Sequence, residues 1–309
     1  MRYIVLFFLI TVPGWGTKYA GEPWSFGGHA RYLGMGNTGV AFVSGPSALA
    51  WNVAGLAHPE SGTELVLYHG SYFQGLHSVE NLAFSRKGIM GPDLSTGIRL
   101  YLVQSTGIRA TALPDPQDSI GEDNRPYVKE ELAYRIGSLT VGTARNLGTW
   151  QWGVAVKLLF ESLSVEQGYG LGMDAGIRYA FNGLALGLAL RDLFTTPLFW
   201  TSGERELIWP SAVFGFAYEG TRGVLAIDLE THFENYGQAA AYAFGPVSWD
   251  LHVGGEWRPV DRIAIRAGLD RGNWTAGLGL RYQVWSLDYA LLRHTDLEGS
   301  HRVSLSIRF

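Results

Sequence analysis

Residues 184–191 read Leu-Ala-Leu-Gly-Leu-Ala-Leu-Arg, and the chain closes on Ser-His-Arg-Val-Ser-Leu-Ser-Ile-Arg-Phe. Alternation of this kind recurs along nearly everything beyond residue 62, and it is the feature that most restricts the fold. Strand side chains have period two, so Leu184, Leu186, Leu188 and Leu190 share one face, and Ala185, Gly187, Ala189 and Arg191 the other. Trp274, Ala276, Leu278, Leu280 and Tyr282 oppose Thr275, Gly277, Gly279 and Arg281 in the same way. Fourteen segments fit the pattern: 63–73, 76–86, 94–111, 127–147, 151–165, 167–181, 184–194, 210–220, 223–234, 247–258, 261–271, 273–283, 284–294 and 300–309. The number is even, as single-chain bacterial barrels require.

The connections give an independent test. Short links fall at 146–150, 182–183, 219–223, 258–262 and 283–284, and long ones at 112–126, 195–209 and 235–246. If the first strand rises from the periplasm, these tight links lie on that side and the long ones all fall on the opposite side. Outer-membrane barrels sort their loops so, and a soluble sandwich has no reason to.

The polar face of these strands holds charges of both signs, and we take Asp174, Arg178, Arg191, Asp250, Arg266, Arg281 and Asp288 as lumen-facing. Asp174 is expected to pair with Arg178, four residues along the same face. The apolar face would then meet lipid, with Trp152, Trp257, Trp285, Tyr179, Tyr218 and Tyr282 near strand ends, where aromatic girdles sit. Glycine at 41 residues, aromatics at 13% and charged residues at 17% suit strands that face lipid on one side. The expected fold is an all-β outer-membrane barrel of about fourteen antiparallel strands.

The start of the chain supplies an address. Arg2, an apolar run over 3–12 and small residues at Gly14, Gly16 and Ala20 form an export signal over 1–20. That run is too short to span a bilayer, and no later stretch approaches the ~18 apolar residues of a transmembrane helix. An exported chain without a helical span enters a membrane only as a closed barrel. The expected location is therefore the outer membrane of a Gram-negative-type cell, with a barrel domain over 61–309.

Residues 21–60 are neither helical nor alternating. Glycines at 34, 36 and 39 permit close backbone approach, and Pro46 is placed to begin a short helical turn ending near Trp51. A compact apolar segment ahead of a barrel is expected within the lumen or across its periplasmic mouth, as a hatch.

Enzyme chemistry finds little support. The chain has no cysteine, so it has no disulfide and no thiolate metal site. A net charge of -4 argues against nucleic acid as a partner. Its eight histidines show no ligand spacing. Gly168, Gly170 and Gly172 lie inside a strand pattern with no helix following, unlike a phosphate loop, and nothing near Ser71, His69 or His77 marks a nucleophile. No catalytic residue, metal or cofactor is expected.

Ala30-Arg31, Gly34-Met35-Gly36 and Asn52-Val53-Ala54-Gly55-Leu56 together resemble the hatch of PorV/PorQ-type outer-membrane proteins, relatives of the FadL fatty-acid transporters. The usual motif has proline where Val53 stands, so this turn keeps an extra N–H. Leu287-Asp288-Tyr289-Ala290 and the closing strand resemble the same family's last hairpin, and terminal Phe309 looks like the insertion signal read by the barrel assembly machinery. The FadL side of the resemblance implies passage of a hydrophobic or amphipathic ligand. The PorV side implies an export role with type IX secretion components. Besides these, the expected partners are outer-membrane lipid and the assembly machinery.

Overall fold

The computed structural model describes residues 20–58, 62–164, 166–237, 240–294 and 299–309. The expected export signal, apart from Ala20, lies outside them. Among the described residues seventeen strands form one antiparallel sheet. In chain order they are β1 (Glu64–Tyr72), β2 (His77–Lys87), β3 (Leu94–Ala112), β4 (Tyr127–Leu147), β5 (Trp150–Leu163), β6 (Glu166–Phe181), β7 (Leu184–Arg191), β8 (Thr196–Trp200), β9 (Arg205–Ile208), β10 (Ser211–Gly220), β11 (Gly223–His232), β12 (Tyr242–Phe244), β13 (Val247–Val260), β14 (Ile263–Asp270), β15 (Asn273–Tyr282), β16 (Trp285–Arg293) and β17 (Gly299–Arg308).

Fourteen of these make a ring. Each pairs with its sequence neighbour, β7 passing to β10 and β11 to β13, and β17 returns to β1 with Leu67 opposite Leu305. Closure leaves no unpaired edge, which is what lets a sheet stand in hydrocarbon. The other three strands decorate outer loops. β8 adds to β6 and carries β9, while β12 adds to β13.

The two faces separate sharply. Leu278, pointing outward, is 56% exposed, whereas Asp228, pointing inward, is 1% exposed. Leu, Val, Ile and Phe cover the outer wall on almost every strand, a surface suited to lipid rather than water. Trp150, Trp152, Tyr218, Trp257, Tyr282 and Trp285 are also exposed, and all lie at the ends of strands that close on short turns. They form the aromatic belt on the periplasmic side.

Strands β3 and β4 outrun their neighbours. β2 stops at the level of Gln104 and β5 at Tyr134, and past those points β3 and β4 pair only with each other. This projecting ribbon carries register shifts between Ser105 and Ile108 and at Ala110–Thr111, with Gly107 at φ +73° in the bulge. Gly97, in the same strand, causes no break: it pairs with both Ser85 and Gly142.

Residues 20–58 lie against the inward face of this wall. They form the helical turn α1 (Ala30–Leu33) and 3-10 turns at Gly45–Leu49 and Val53–Ala57. Wall glycines explain how backbone meets backbone here. A Cβ at Gly254 would stand 1.9 Å from the Met35 carbonyl oxygen, and one at Gly187 2.3 Å from that of Val40. Any side chain at these wall positions would push the segment off.

Candidate functional site

Among the described residues most of the buried charged side chains face the lumen, and its N-terminal lining organises them. His29 caps α1, its Nδ1 accepting from the Arg31 N–H at 3.1 Å, and its Nε2 faces Ser306 Oγ at 3.0 Å. The cap requires a bare Nδ1, so the neutral ring with its proton on Nε2 fits both contacts. Burial is the largest cause holding the His29 pKa down at about 4, and Arg266, Arg31 and Arg308 act in the same direction against Asp288. His58 is lowered to about 3, again by burial first and then by Arg178, Arg31 and Arg308. Burial likewise raises the Tyr32 hydroxyl.

From α1, Arg31 reaches the wall as a fork, Nε and Nη2 each donating to Glu256 at 3.0 Å. Arg266 donates to the same carboxylate at 2.8 Å and bridges to Asp288 at 2.7 Å. Two guanidiniums and two carboxylates thus form one buried network joining α1 to β13, β14 and β16. Further along, Gly39 and Val40 donate backbone N–H groups to Asp228 Oδ2 at 2.8 and 3.0 Å. Gly36 donates to Thr275 Oγ1, and its own position is set by φ +70° and by β13 and β14 backbone.

The second motif cluster closes the segment's other end. Asn52 donates from Nδ2 to the carbonyls of Val40 and Ile177 at 2.8 and 3.1 Å, while its Oδ1 accepts from Ala54. Val53 is the first residue of its 3-10 turn. Proline suits that position, and here the Asn52 side chain holds the turn instead. Gly55 packs under the Val43 carbonyl and Leu56 against Gly97. Ala30, Gly34, Met35 and Ala54 are buried.

The lumen charges pair across strands. Asp174 binds Lys157 at 2.9 Å, which also bridges to Asp192 at 2.9 Å. Arg178 binds Glu219 at 2.6 Å and Gln151 at 2.9 Å. This corrects the expected Asp174–Arg178 pair: residues four apart on a strand stand about 13 Å apart along it, whereas neighbouring strands are ~5 Å away. Arg191 binds Glu230 at 2.8 Å, and Asp250 lies 3.5 Å from His232. Arg281 lines the periplasmic mouth with Arg258, Arg262 and Arg308. Phe309, 78% exposed, continues the outward face of β17, and its N–H donates to the Thr63 carbonyl.

Space is distributed unevenly. Toward the periplasm, only about 40 Å³ remains among Arg31, Glu256, Arg266 and Asp288. Toward the outer side there are two cavities, one of about 120 Å³ between Trp24, Trp51 and the Lys157–Asp174 group, and one of about 520 Å³ beside Phe26, Tyr72 and Phe73. A groove of about 550 Å³ also runs over the outside of β1–β4, past Leu67, Leu82 and Leu100. Behind that groove the segment is tied to the wall: Asn81 donates to the Gly28 carbonyl, Arg99 to that of Gly27, Tyr101 to that of Pro23, and Trp24 to that of Gly137. Sequence reasoning missed Asn81, Arg99 and Tyr101. The odd-numbered face of Gly97-Ile98-Arg99-Leu100-Tyr101 was the available signal.

No protein-family profile matches the chain, and no curated protein matches it in sequence. Solved structures match in shape. The toluene transporter TodX of P. putida superposes with a TM-score of 0.66 at 15% identity, covering 92% of this chain and 99% of that one. The toluene transporter TbuX of Ralstonia pickettii gives 0.62 at 14%, covering 92% and 98%. A FadL homologue of Pseudomonas aeruginosa gives 0.60 at 13%, covering 91% and 98%. At these identities the likeness is one of fold: a fourteen-strand outer-membrane barrel of FadL type, over nearly the whole of each chain.

Proposed function

We propose that this chain is a FadL-like barrel of the outer membrane that passes a hydrophobic or amphipathic small molecule, with residues 21–58 as its hatch. One observation carries the reading. The lumenal cavity among Arg31, Glu256, Arg266 and Asp288 holds about 40 Å³ and the one beside Phe26, Tyr72 and Phe73 about 520 Å³, so a solute has room to lodge at the second and little at the first. Two of the structural neighbours are transporters of toluene, which supports an apolar cargo. On this reading a solute moves the hatch or leaves through the wall. Proteoliposomes holding the full mature chain are expected to take up toluene faster than empty ones, with little steady ion current in planar bilayers. Large currents from the intact protein would identify a general diffusion pore instead.

A second reading, closer to PorV, makes the barrel an accessory of protein export through type IX secretion components. The observation in its favour is the β3–β4 ribbon, whose residues 127–131 are all exposed and include Lys129, Glu130 and Glu131. Co-purification of secretion components that depends on this ribbon, without toluene uptake, would favour it.

A further inference from the structure

The larger lumenal cavity contains a charge that the protein leaves unanswered. Arg302 points inward from β17 and is 2% exposed, yet its Nε and Nη1 have no hydrogen-bond partner. Those two nitrogens carry three N–H donors. Its guanidinium lies over the Tyr72 ring, 4.6 Å from the centroid. The nearby carboxylates are engaged elsewhere: Asp270 with His252 Nδ1 at 3.0 Å, and Glu22 with Arg271 at 3.7 Å. Tyr72 and Asp270 lie close enough to support its charge, but the donors on Nε and Nη1 stay unused, and unsatisfied buried donors are uncommon enough to require a cause.

Around it the cavity is aromatic. Phe26 meets Tyr72 at 5.0 Å between centroids, and Phe73 meets His294 edge-on at 6.0 Å. Leu33 and Leu292 complete the apolar lining. At about 520 Å³ the space is ample for a single-ring solute. We infer that this cavity binds an aryl carboxylate, its ring among Phe26, Tyr72 and Phe73 and its carboxylate accepting from Arg302. A neutral hydrocarbon fills the same apolar lining but leaves those donors unpaired. The site therefore selects for the anion. The inference rests on the reading of the lumen as a solute path, and it names which solute stops there.

Binding to the purified full mature chain in detergent, measured calorimetrically, tests this with benzoate and toluene as matched probes. The wild type is expected to bind benzoate at least about tenfold more tightly than toluene. Arg302→Met should lose that preference at least tenfold while keeping toluene, and Arg302→Lys should keep part of it. Heat-modifiable mobility checks that each variant is folded; should the methionine variant fail to fold, the wild-type ratio and the lysine variant decide. Equal affinity for the two probes in the wild type overturns the inference, as does a folded Arg302→Met that binds benzoate unchanged. Octanoate bound more tightly than benzoate overturns the aryl assignment. Uptake into proteoliposomes separates the two readings: toluene flux without benzoate preference defeats this site alone, and benzoate binding without flux defeats transport alone.

Discussion

The two ends of this lumen are built from the same strands and yet are filled by different means. Toward the periplasm, wall positions such as Gly254, Gly268 and Gly187 let the N-terminal backbone lie directly on the sheet, and the remaining charges of Arg31, Glu256, Arg266 and Asp288 neutralise one another. Toward the outside, the inward positions carry Lys157, Arg191, Glu230, Tyr72 and Arg302, whose length holds the segment and the wall apart. Small residues make contact and large ones make room. The barrel is closed where its inner face is plain and hollow where that face is ornate.

The comparison breaks most completely if the packed end is overfilled. Gly254→Leu with Gly187→Leu places side chains where Met35 and Val40 backbone now sit. Overpacking of this kind costs about 1–3 kcal/mol per site and often more. Planar-bilayer conductance should rise severalfold over the wild type; unchanged current would mean that the segment does not block the bore.

Next comes Glu256→Gln, which leaves Arg31 and Arg266 without their shared carboxylate. Removing one partner from a buried charge network costs about 3–5 kcal/mol. Trypsin cleavage after Arg31 should become fast in the folded barrel, while Glu204→Gln, on an outer loop, should change nothing.

The third test uses pH. His29 has a pKa of about 4 when docked against an ordinary value of 6.5, so the docked segment binds its proton less readily than a released one. Docking is therefore fully supported above pH 6.5 and weakens as the pH falls toward 4, by on the order of 3 kcal/mol in total, with no further loss from this group below that. His58 shifts with the same sign and extends the window to about 3. Protection factors at residues 29–34, taken relative to the intrinsic exchange rate at each pH, should fall between pH 7 and 4.5, and His29→Gln should flatten the dependence. Protection factors independent of pH in the wild type would contradict it.

The smallest effects contrast the two ends directly. Leu56→Ala, in the packed end against Gly97, should cost about 2–4 kcal/mol of resistance to denaturant. Phe73→Ala, whose ring already borders the 520 Å³ cavity, should cost under about 1 kcal/mol. Equal costs would erase the distinction between the ends.

The barrel was legible in the sequence because its determinants are local. Period-two alternation places the fourteen strands of the ring, and segments expected at 127–147 and 184–194 form as Tyr127–Leu147 and Leu184–Arg191. The hairpin Thr196–Trp200 and Arg205–Ile208 was read as loop, since strands of five and four residues carry too few alternations to register. Which inward residues carry charge could be read too; which of them pair could not. Pairing depends on register across strands, and Lys157 meets Asp174 and Asp192 through two different neighbours. Alternation with Val303 and Leu305 turns Arg302 inward, but that two of its nitrogens go unpaired belongs to three dimensions.

The segment inside the barrel also constrains how the ring comes together. Residues 20–58 precede β1 closely in the sequence, and β1 is the strand that meets both β2 and β17. The seam that completes the circle is thus formed by the strand tethered to the segment itself. Inserting the segment afterwards would mean passing Tyr32, Phe42 and Trp51 through a mouth lined by Glu256, Arg258, Arg262 and Arg308. Ring closure and docking of the segment therefore share one strand, and the seam between β1 and β17 joins the wall to its guest.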